Sequence, residues 1–400
     1  MLRFLLFPAK ILITLLSASV LFILSFYCQT TLYSFPYTEK FSGNAFYNPY
    51  GHISSQTLTA NFHAHTRAYG GATNGDNSFS EMKDFYRQRG IDMAAISNYF
   101  RASPGEEIQV YEHGINLSKT HQLAINADGE LYFDYALYQN TSQKQDIISR
   151  LRKKGALVVI AHPNMRNGHT PEDMTRLAEY HFTEIRSYHA RAEEYWDAAL
   201  RSGKLSWLMV NDDTHGIRKQ LPGRFYNVVF SASQDSLLPA MLQGRHYGIA
   251  QKNDTTDLEL RYLTLSNDTL HFDLGENAGV TRLIAEGVTV DSLPGGRGFF
   301  LFPAGASYVR LVAESGHCVL YTNPVIRTPH AGHFEAIATQ AATIRFWPTL
   351  GIRLLFMMLF ALVLTATIRL WWRLNLPTRN RTPRVSGLRT YFGFSTGRRP

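Results

Sequence analysis

The sequence predicts an α/β domain built on a parallel sheet, followed by a small antiparallel β domain and flanked by two transmembrane helices. Three observations lead to this architecture. Residues 57–250 alternate short aliphatic runs with helical stretches, which is typical of parallel α/β folds. Beyond residue 255, leucine and phenylalanine alternate with polar residues, as in antiparallel hairpins. Long apolar segments lie near both ends of the 400-residue chain.

The first apolar segment, 11–28, contains no charged residue. Together with the apolar residues before Lys10 it is long enough to cross a bilayer. A cleaved signal peptide is the alternative, but no Ala-x-Ala site follows the segment. We therefore interpret 1–28 as an uncleaved N-terminal anchor, followed by a linker over 29–54.

The α/β domain is expected to cover 55–250. Its predicted strands are 57–62, 92–96, 122–126, 156–161, 183–186 and 207–210. Its predicted helices are 80–89, 143–154, 171–180, 192–202 and 236–243. Glycine follows several of these helices directly, at Gly90, Gly155, Gly203 and Gly244, as expected for a residue that ends a helix.

The remaining segments are a small β domain over 255–328, a connector over 329–347, a transmembrane helix over 348–372 and a basic tail over 373–400. Eight of the chain's 40 basic residues are arginines within 369–400, where no acidic residue lies. The other 32 basic residues balance the 32 acidic ones. The body therefore has no basic surplus, and we expect no nucleic-acid partner.

Orientation in the membrane follows from the positive charges. Arg3 and Lys10 flank the first span, and the arginine-rich tail follows the second. Positive charges favour the cytoplasmic side, so both termini are predicted to be cytoplasmic. The chain is thus expected in the cytoplasmic (inner) membrane, with its main domain outside the cytoplasm and its tail in contact with membrane lipid.

Histidines follow or open the predicted strands instead of scattering along the chain. His63 and His65 close the first strand, His121 opens another, and His162 comes directly after Val158–Ala161. Asp213 and His215 follow the strand 207–210. The functional ends of parallel strands open onto one face, so these side chains can converge in one pocket. Imidazoles with a carboxylate are the ligands of zinc, manganese or iron.

At these positions the sequence resembles the polymerase and histidinol phosphatase (PHP) family. The resemblance covers about 57–250 and rests on five motifs: Phe62-His63-Ala64-His65-Thr66, Gly90-Ile91-Asp92-Met93-Ala94-Ala95-Ile96-Ser97, Ala161-His162-Pro163, Asp212-Asp213-Thr214-His215 and Gly244-Arg245-His246-Tyr247. It implies a distorted (β/α)7 barrel with a cluster of up to three metal ions, and in many members the hydrolysis of phosphoesters. Carried over by position, it implies the metal ligands His63, His65, His121, His162, Asp213 and His215.

Three positions depart from the family pattern, and one of them is Asn74, an amide where relatives often carry an acid or a histidine. Where the family has Thr-Asp-His after its second strand, this chain has Ser97-Asn98-Tyr99. The position of the glutamate that bridges two ions is matched by Asn116, whose amide carries no charge, unless a shift of register brings Glu112 there. The departures indicate fewer ions than in the family. We expect one or two divalent transition-metal ions, one on His63, His65 and Asp213.

A second ion, where present, is expected on His121 and His162, and His215 is expected either to bind metal directly or to contact a residue that does. Such a site favours a phosphoesterase in which a metal-activated water attacks a small or lipid-linked phosphate ester. No side chain is assigned as the catalytic group. Arg166 and Arg218, in loops after His162 and His215, are candidates for binding the phosphate. The alternative is a catalytically degenerate member that acts as a binding or scaffold subunit of a cell-envelope complex.

Overall fold

The computed structural model describes residues 2–51, 54–72, 75–330 and 341–375. Asn74, part of the predicted connector, 331–340, and the predicted tail beyond 375 lie outside this range. The helices of the described chain are α1 (Leu2–Tyr27), α2 (Phe79–Gln88), α3 (Thr141–Lys153), α4 (Pro171–Arg176), α5 (Glu193–Arg201), α6 (Leu237–Leu242) and α7 (Phe346–Asn375). One compact unit holds the outer parts of α1 and α7, and the other is Ile23–Met357.

Strands dominate the body of the protein. They are β1 (Tyr33–Ser34), β2 (Ala45–Tyr47), β3 (Leu58–Asn61), β4 (Met93–Ala94), β5 (Val110–His113), β6 (His121–Ile125), β7 (Leu157–Ala161), β8 (Phe182–Arg186), β9 (Trp207–Val210), β10 (Phe225–Val229), β11 (His246–Gln251), β12 (Tyr262–Ser266), β13 (Thr269–Asp273), β14 (Val280–Ala285), β15 (Val288–Pro294), β16 (Arg297–Leu301), β17 (Tyr308–Glu314), β18 (Cys318–Thr322), β19 (Val325–Thr328) and β20 (Thr343–Ile344).

These strands form several sheets. A five-stranded sheet has the order β5-β6-β7-β8-β9, and a ten-stranded sheet runs β15-β14-β17-β18-β11-β10-β3-β4, with β19 and β2 paired beside β17. A three-stranded sheet, β12-β13-β16, and the pair β1-β20 complete the described part. The strands after residue 255 are antiparallel, and five of them extend the same sheet that contains β3, β10 and β11.

The predicted (β/α)7 barrel is wrong: the strands of the described chain lie in open sheets, and none of these sheets closes into a barrel. Parallel strand pairs are confined there to β3–β4, β7–β8 and β8–β9. The reason lies in the connections, because parallel neighbours need a long crossover while hairpins need only a short loop. Residues 114–120 join β5 to β6 without a helix, and β10 and β11 also pair antiparallel.

Three helices of the body, α2, α3 and α4, begin with a capping side chain. Ser78 and Glu81 form a reciprocal capping box at the start of α2, and Asn140 and Gln143 do the same at α3. The strands β7 and β9 are almost continuously apolar and buried, as expected where helices or sheets cover both faces. These elements give the five-stranded sheet a rigid frame for the side chains at its edge.

Two helices are long and apolar enough to cross a membrane. They are Lys10–Tyr27 within α1, with a mean hydropathy of 2.0, and Phe346–Arg373 within α7, with a mean hydropathy of 2.2. Neither is buried within the protein. A chain segment that exposes this much apolar surface is typical of a bilayer span.

Two isolated bridges join the five-stranded sheet to the ten-stranded sheet, one between the segments after β3 and β9 and one between the segment after β4 and β5. Ala64 forms an isolated parallel bridge with Thr214, and Tyr99 forms another with Glu112. The amide of His65 donates to the carbonyl of Thr214 at 2.8 Å. The segments after β3 and β9, which carry His63, His65, Asp213 and His215, meet at this junction, whereas His162 follows β7 and His121 opens β6.

Candidate metal centre

Seven buried or half-buried side chains converge at the junction of the two sheets. They form four overlapping groups whose ligand atoms lie within 4.8 Å of one another: His63, His65 and Glu112; His63, His162 and Asp213; His65, Asp213 and His215; and Glu112, His121 and His162. These groups could hold a metal ion. All six residues proposed from the sequence as ligands are among them, together with Glu112.

Glu112, on β5, occupies the centre of the cluster. Its Oε1 lies 2.6 Å from Nδ1 of His121, 3.0 Å from Nε2 of His162 and 3.5 Å from Nε2 of His63. Its Oε2 lies 3.1 Å from Nε2 of His65. One carboxylate thus reaches four imidazoles and belongs to two of the groups that could hold a metal ion.

Asp213 provides the second carboxylate of the cluster. Its Oδ1 lies 3.2 Å from Nε2 of His63 and 3.5 Å from Nε2 of His65, while Nδ1 of His215 is 3.9 Å away. The backbone holds this carboxylate in place, because the amide of Asp213 donates to the carbonyl of His63 at 2.8 Å. Two neighbouring strands therefore fix the relative positions of three candidate ligands.

Glu184, within β8, contacts two histidines of the cluster and orients them. Its Oε1 lies 3.0 Å from Nδ1 of His63, and its Oε2 accepts the amide hydrogen of His162 at 2.9 Å. Asn211 donates to Oε1 at 3.0 Å. A carboxylate that accepts from one imidazole nitrogen aims the other nitrogen at the metal and strengthens it as a ligand. The sequence interpretation missed Glu184, and its only signal was an acidic residue inside a predicted buried strand.

Six candidate ligand atoms of the cluster have no hydrogen bond to any of the described residues. Within the described chain, Nε2 of His63, both ring nitrogens of His65, Oε2 of Glu112, Nε2 of His121 and Nδ1 of His162 are buried and have no hydrogen-bond partner. Buried polar atoms are normally hydrogen-bonded, and so many exceptions in one place call for an explanation. A cation at this position satisfies nitrogens and carboxylate oxygens together, so the residues fit a metal ion.

The charges in the cluster also favour the binding of a metal ion. Burial lowers the pKa of His63, yet the carboxylates of Asp213, Glu184 and Glu112 outweigh burial and raise this pKa well above its ordinary value. Burial raises the pKa of Glu112, but His121 and His63 hold it well below its ordinary range. Three buried carboxylates therefore draw positive charge into the cluster. A divalent ion would supply that charge in place of protons on the imidazoles.

Two of the candidate ligands have an unusual backbone conformation. His162 has φ +26° and Asp213 has φ +52°, although neither is glycine. Positive φ costs free energy in a residue with a side chain, and such residues concentrate at functional sites. Each follows directly or closely on a buried strand, β7 or β9, so the strained turns aim their side chains at the cluster.

The mouth of the site lies beside His215 and Tyr99. The side chain of His215 is 19% exposed, and its ring stacks on that of His65 at 4.5 Å. Burial, together with His65, lowers the pKa of His215 to about 4. The ring of Tyr99 stacks on His65 at 5.0 Å, and Lys119 Nζ lies 5.6 Å from the Tyr99 ring centre. His189 stands next to His215, at 5.7 Å between rings.

The other residues singled out from the sequence lie further from the centre. Asn116 is buried, but its side chain bonds with Thr120 and Asp134, so Glu112 and not Asn116 occupies the central position. Arg166 and Arg218 are exposed on their loops. Lys119 was not proposed from the sequence as a residue that binds an anion. Its sequence context is that of an ordinary surface lysine, apart from its closeness to His121.

No protein-family model matches the chain, and no curated protein matches it either. The resemblance to the PHP family therefore stays a prediction from the motifs. The fold and the site define a protein with two helices long and apolar enough to cross a membrane and with a buried cluster of histidines and carboxylates that could hold a metal ion.

Proposed function

We propose that this protein is a membrane-anchored, metal-dependent phosphoesterase related to the PHP family. The observation that carries the proposal is the convergence of five histidines and two carboxylates from five separate segments on one buried point. Structural ion pairs do not need this many uncompensated donors, whereas metal-dependent hydrolases do. The substrate is a phosphate ester, small or linked to a lipid.

The proposed metal is zinc, manganese or iron, with one or two ions bound. His63, His65 and Asp213 would hold one ion, while His121 and His162 would hold a second, with Glu112 between the two sets. The mixture of nitrogen and carboxylate oxygen donors suits these borderline transition metals better than calcium or magnesium. When bound, the ion supplies Lewis-acid polarisation of a phosphoryl oxygen and makes a nearby water more acidic.

The chain's own residues would bind and orient the ester. Lys119, with its ammonium group next to Tyr99, is the cation best placed to pair with a phosphate oxygen at the mouth. Hydrolysis forms a bond between the water oxygen and phosphorus, and breaks the bond between phosphorus and the alcohol oxygen. The alcohol leaves with a proton from water. The buried walls around His63 and His65 keep other water away from the reacting centre.

The proposed topology places both termini in the cytoplasm and the body outside it. Arg3 and Lys10 precede the first span and the arginine-rich tail follows the second, in accordance with the positive-inside rule. The protein would then belong to the cytoplasmic (inner) membrane. Attachment of a short cysteine-reactive label to cysteines introduced into the tail and the body, in intact and in permeabilised cells, tests this orientation.

Hydrolysis by the full chain in detergent tests the proposed activity. Manganese, zinc and iron are supplied separately, and turnover of a chromogenic phosphodiester and phosphomonoester is measured. We expect turnover that the double variant His63→Ala, His65→Ala abolishes. The matched control is His271→Ala, His317→Ala, which removes two exposed histidines from the C-terminal strands and should retain turnover. Equal turnover in both double variants would contradict the proposal.

The second candidate is a metal-binding subunit without catalytic activity, which would serve a cell-envelope complex as a binding or scaffold protein. The observation that favours it is Tyr99, whose ring covers His65 at the point where the family has a histidine. Metal bound at the cluster with no turnover under any of the three metals would support this candidate. Turnover would then be measured in the variant Tyr99→His, to determine whether the missing ligand restores activity.

A further inference from the structure

An apolar surface adjoins the mouth of the metal centre. It consists of Ile115, Leu117, Tyr132, Leu137 and Tyr138, which are 72%, 55%, 69%, 38% and 68% exposed. We call this set the apolar rim. Large apolar side chains scattered singly on a surface need no explanation, but five in two touching loops mark a contact surface.

The rim is joined to the candidate ligands by chain connectivity. Ile115 and Leu117 lie in the loop 114–120, which connects Glu112 and His113 on β5 to His121 on β6. Lys119, in the same loop, lies next to the ring of Tyr99 at the mouth. Any apolar surface that covers Ile115 and Leu117 therefore lies close to the opening of the metal centre.

Hydrogen bonds join this loop to the second loop of the rim. The amide of Leu117 donates to the carbonyl of Leu137 at 3.1 Å. The amide of Ile115 donates to Asp134 Oδ2 at 2.8 Å, and the Asn116 side chain donates to the same oxygen at 3.2 Å. Because these bonds hold both loops together, the rim is a single surface.

The second loop also contacts the end of α1. The hydroxyl of Tyr27 donates to the carbonyl of Tyr138 at 3.0 Å and accepts the amide hydrogen of Leu137 at 3.3 Å. Rings pack there as well: Tyr27 lies 5.6 Å from Tyr135 and 5.6 Å from Phe356 of α7. Tyr27 is the last residue of one candidate membrane span, and Phe356 belongs to the other.

These contacts identify what covers the rim. A tyrosine at the end of a membrane span lies in the headgroup region of the bilayer, where aromatic side chains with a polar tip concentrate. The loop that holds Tyr138 and Leu137 contacts this tyrosine directly, so it lies at the same level. Among the surfaces that could cover these five apolar side chains, the bilayer is the one expected next to them, because Tyr27 at the end of a candidate span contacts their loop.

We propose that the apolar rim rests on the surface of the membrane crossed by α1 and α7, and that the metal centre acts on a phosphoester of a membrane lipid. This inference rests on the proposed function and narrows its substrate class. The hydrocarbon chains stay in the bilayer against Ile115 and Leu117. The phosphate reaches Lys119 and the cluster. Hydrolysis breaks the bond between phosphorus and the lipid oxygen, so the lipid alcohol stays in the membrane and the phosphate group is released into the solution.

The first test measures contact with the bilayer and does not depend on activity. The full chain carries Cys28→Ser and Ile115→Cys, is labelled with an environment-sensitive fluorophore and is reconstituted in vesicles of phosphatidylcholine and phosphatidylglycerol. Doxyl-labelled lipid should quench this fluorophore several-fold more strongly than one at Phe299→Cys, an exposed position on β16. Equal, weak quenching at both positions would overturn the docking of the rim.

The second test measures substrate preference in the same vesicles. We compare kcat/KM for dioleoyl phosphatidate with kcat/KM for its water-soluble dibutyryl analogue. The double variant Ile115→Ser, Leu117→Ser should lower the ratio of these two values about ten-fold, because apolar contact with the lipid chains is lost. The control Phe299→Ser, Leu301→Ser removes equally exposed side chains from β16 and should leave the ratio unchanged.

The outcomes separate this inference from the proposed function. If the metal-loaded protein hydrolyses no ester at all, the phosphoesterase proposal fails, and the quenching result still decides whether the rim contacts the bilayer. If it hydrolyses the soluble esters without preferring the long-chain lipid, or if the rim variant leaves the ratio unchanged, the lipid inference fails alone. The conservative variant Ile115→Leu, Leu117→Ile should retain the wild-type ratio, which separates lost contact from misfolding.

Discussion

Replacement of Glu112 by glutamine should greatly weaken metal binding while leaving the shape of the site intact. Glutamine has nearly the same volume but carries no charge, and Glu112 contacts four imidazoles at 2.6 to 3.5 Å. Loss of a carboxylate that merely supports one ligand lowers metal affinity roughly 10- to 100-fold. Because Glu112 lies between both proposed ion sites, we expect a loss of at least about 100-fold, or about 2.7 kcal/mol.

The assay is competition between the full chain and a chromogenic chelator for zinc or manganese, in detergent. The control is Glu314→Gln, since Glu314 pairs with Lys252 and Arg282 on the surface of the C-terminal strands. This control should bind metal with wild-type affinity. A Kd for Glu112→Gln within about three-fold of the wild-type value would refute the central position of Glu112, since three-fold corresponds to only about 0.7 kcal/mol.

Three further predictions concern the surroundings of the site and the body. Glu184→Gln should lower metal affinity roughly 10- to 100-fold in the same competition assay, because His63 loses the group that orients it. Burial lowers the pKa of His181 from 6.5 to about 3, so the unfolded chain takes up a proton that the folded chain refuses. His181 should therefore contribute a fall of about 2 kcal/mol in the free energy of unfolding between pH 7 and pH 5, and in urea titrations the total fall for His181→Asn should be smaller by that amount. Arg310→Met should lower the free energy of unfolding by about 3 to 5 kcal/mol in such titrations, since Asp197 is left buried without its partner.

Several strand positions could be predicted from the sequence, whereas β5, β10 and β11 were not predicted and the way the strands pair could not be. The aliphatic runs 156–161 and 207–210 correspond closely to β7 and β9, because burial on both faces leaves a clear apolar signal. The barrel was wrong because pairing depends on connections. The loop 114–120 contains no turn motif that distinguishes a hairpin from a short crossover, and β11 pairs with β18, a strand far away in sequence.

The residues of the candidate site likewise divide into those that could be predicted from the sequence and those that could not. His63, His65, His162 and Asp213 could be proposed because they follow strands, where side chains converge. The central carboxylate could not be chosen between Glu112 and Asn116, since the choice depends on the register of β5 against β6. A shift of one residue turns a side chain to the opposite face of a strand. The register places Glu112 inside the cluster.

Glu184, Lys119 and the apolar rim depend on contacts between distant segments. Glu184 is a carboxylate within a buried strand, and only the neighbouring imidazole explains why it is there. Ile115 and Leu117 look like ordinary loop residues in the sequence. Their significance comes from the hydrogen bonds that join their loop to the end of α1 through Leu137 and Tyr27.

The most direct test of the metal centre is the metal content of the full chain. Manganese, iron and zinc are quantified per chain in the wild type, in His63→Ala, His65→Ala and in the control His271→Ala, His317→Ala. We predict one or two ions per chain in the wild type and in the control, and a loss of at least one ion in the first double variant. A wild-type chain that binds no transition metal when each is supplied, or equal metal content in all three proteins, would contradict the account.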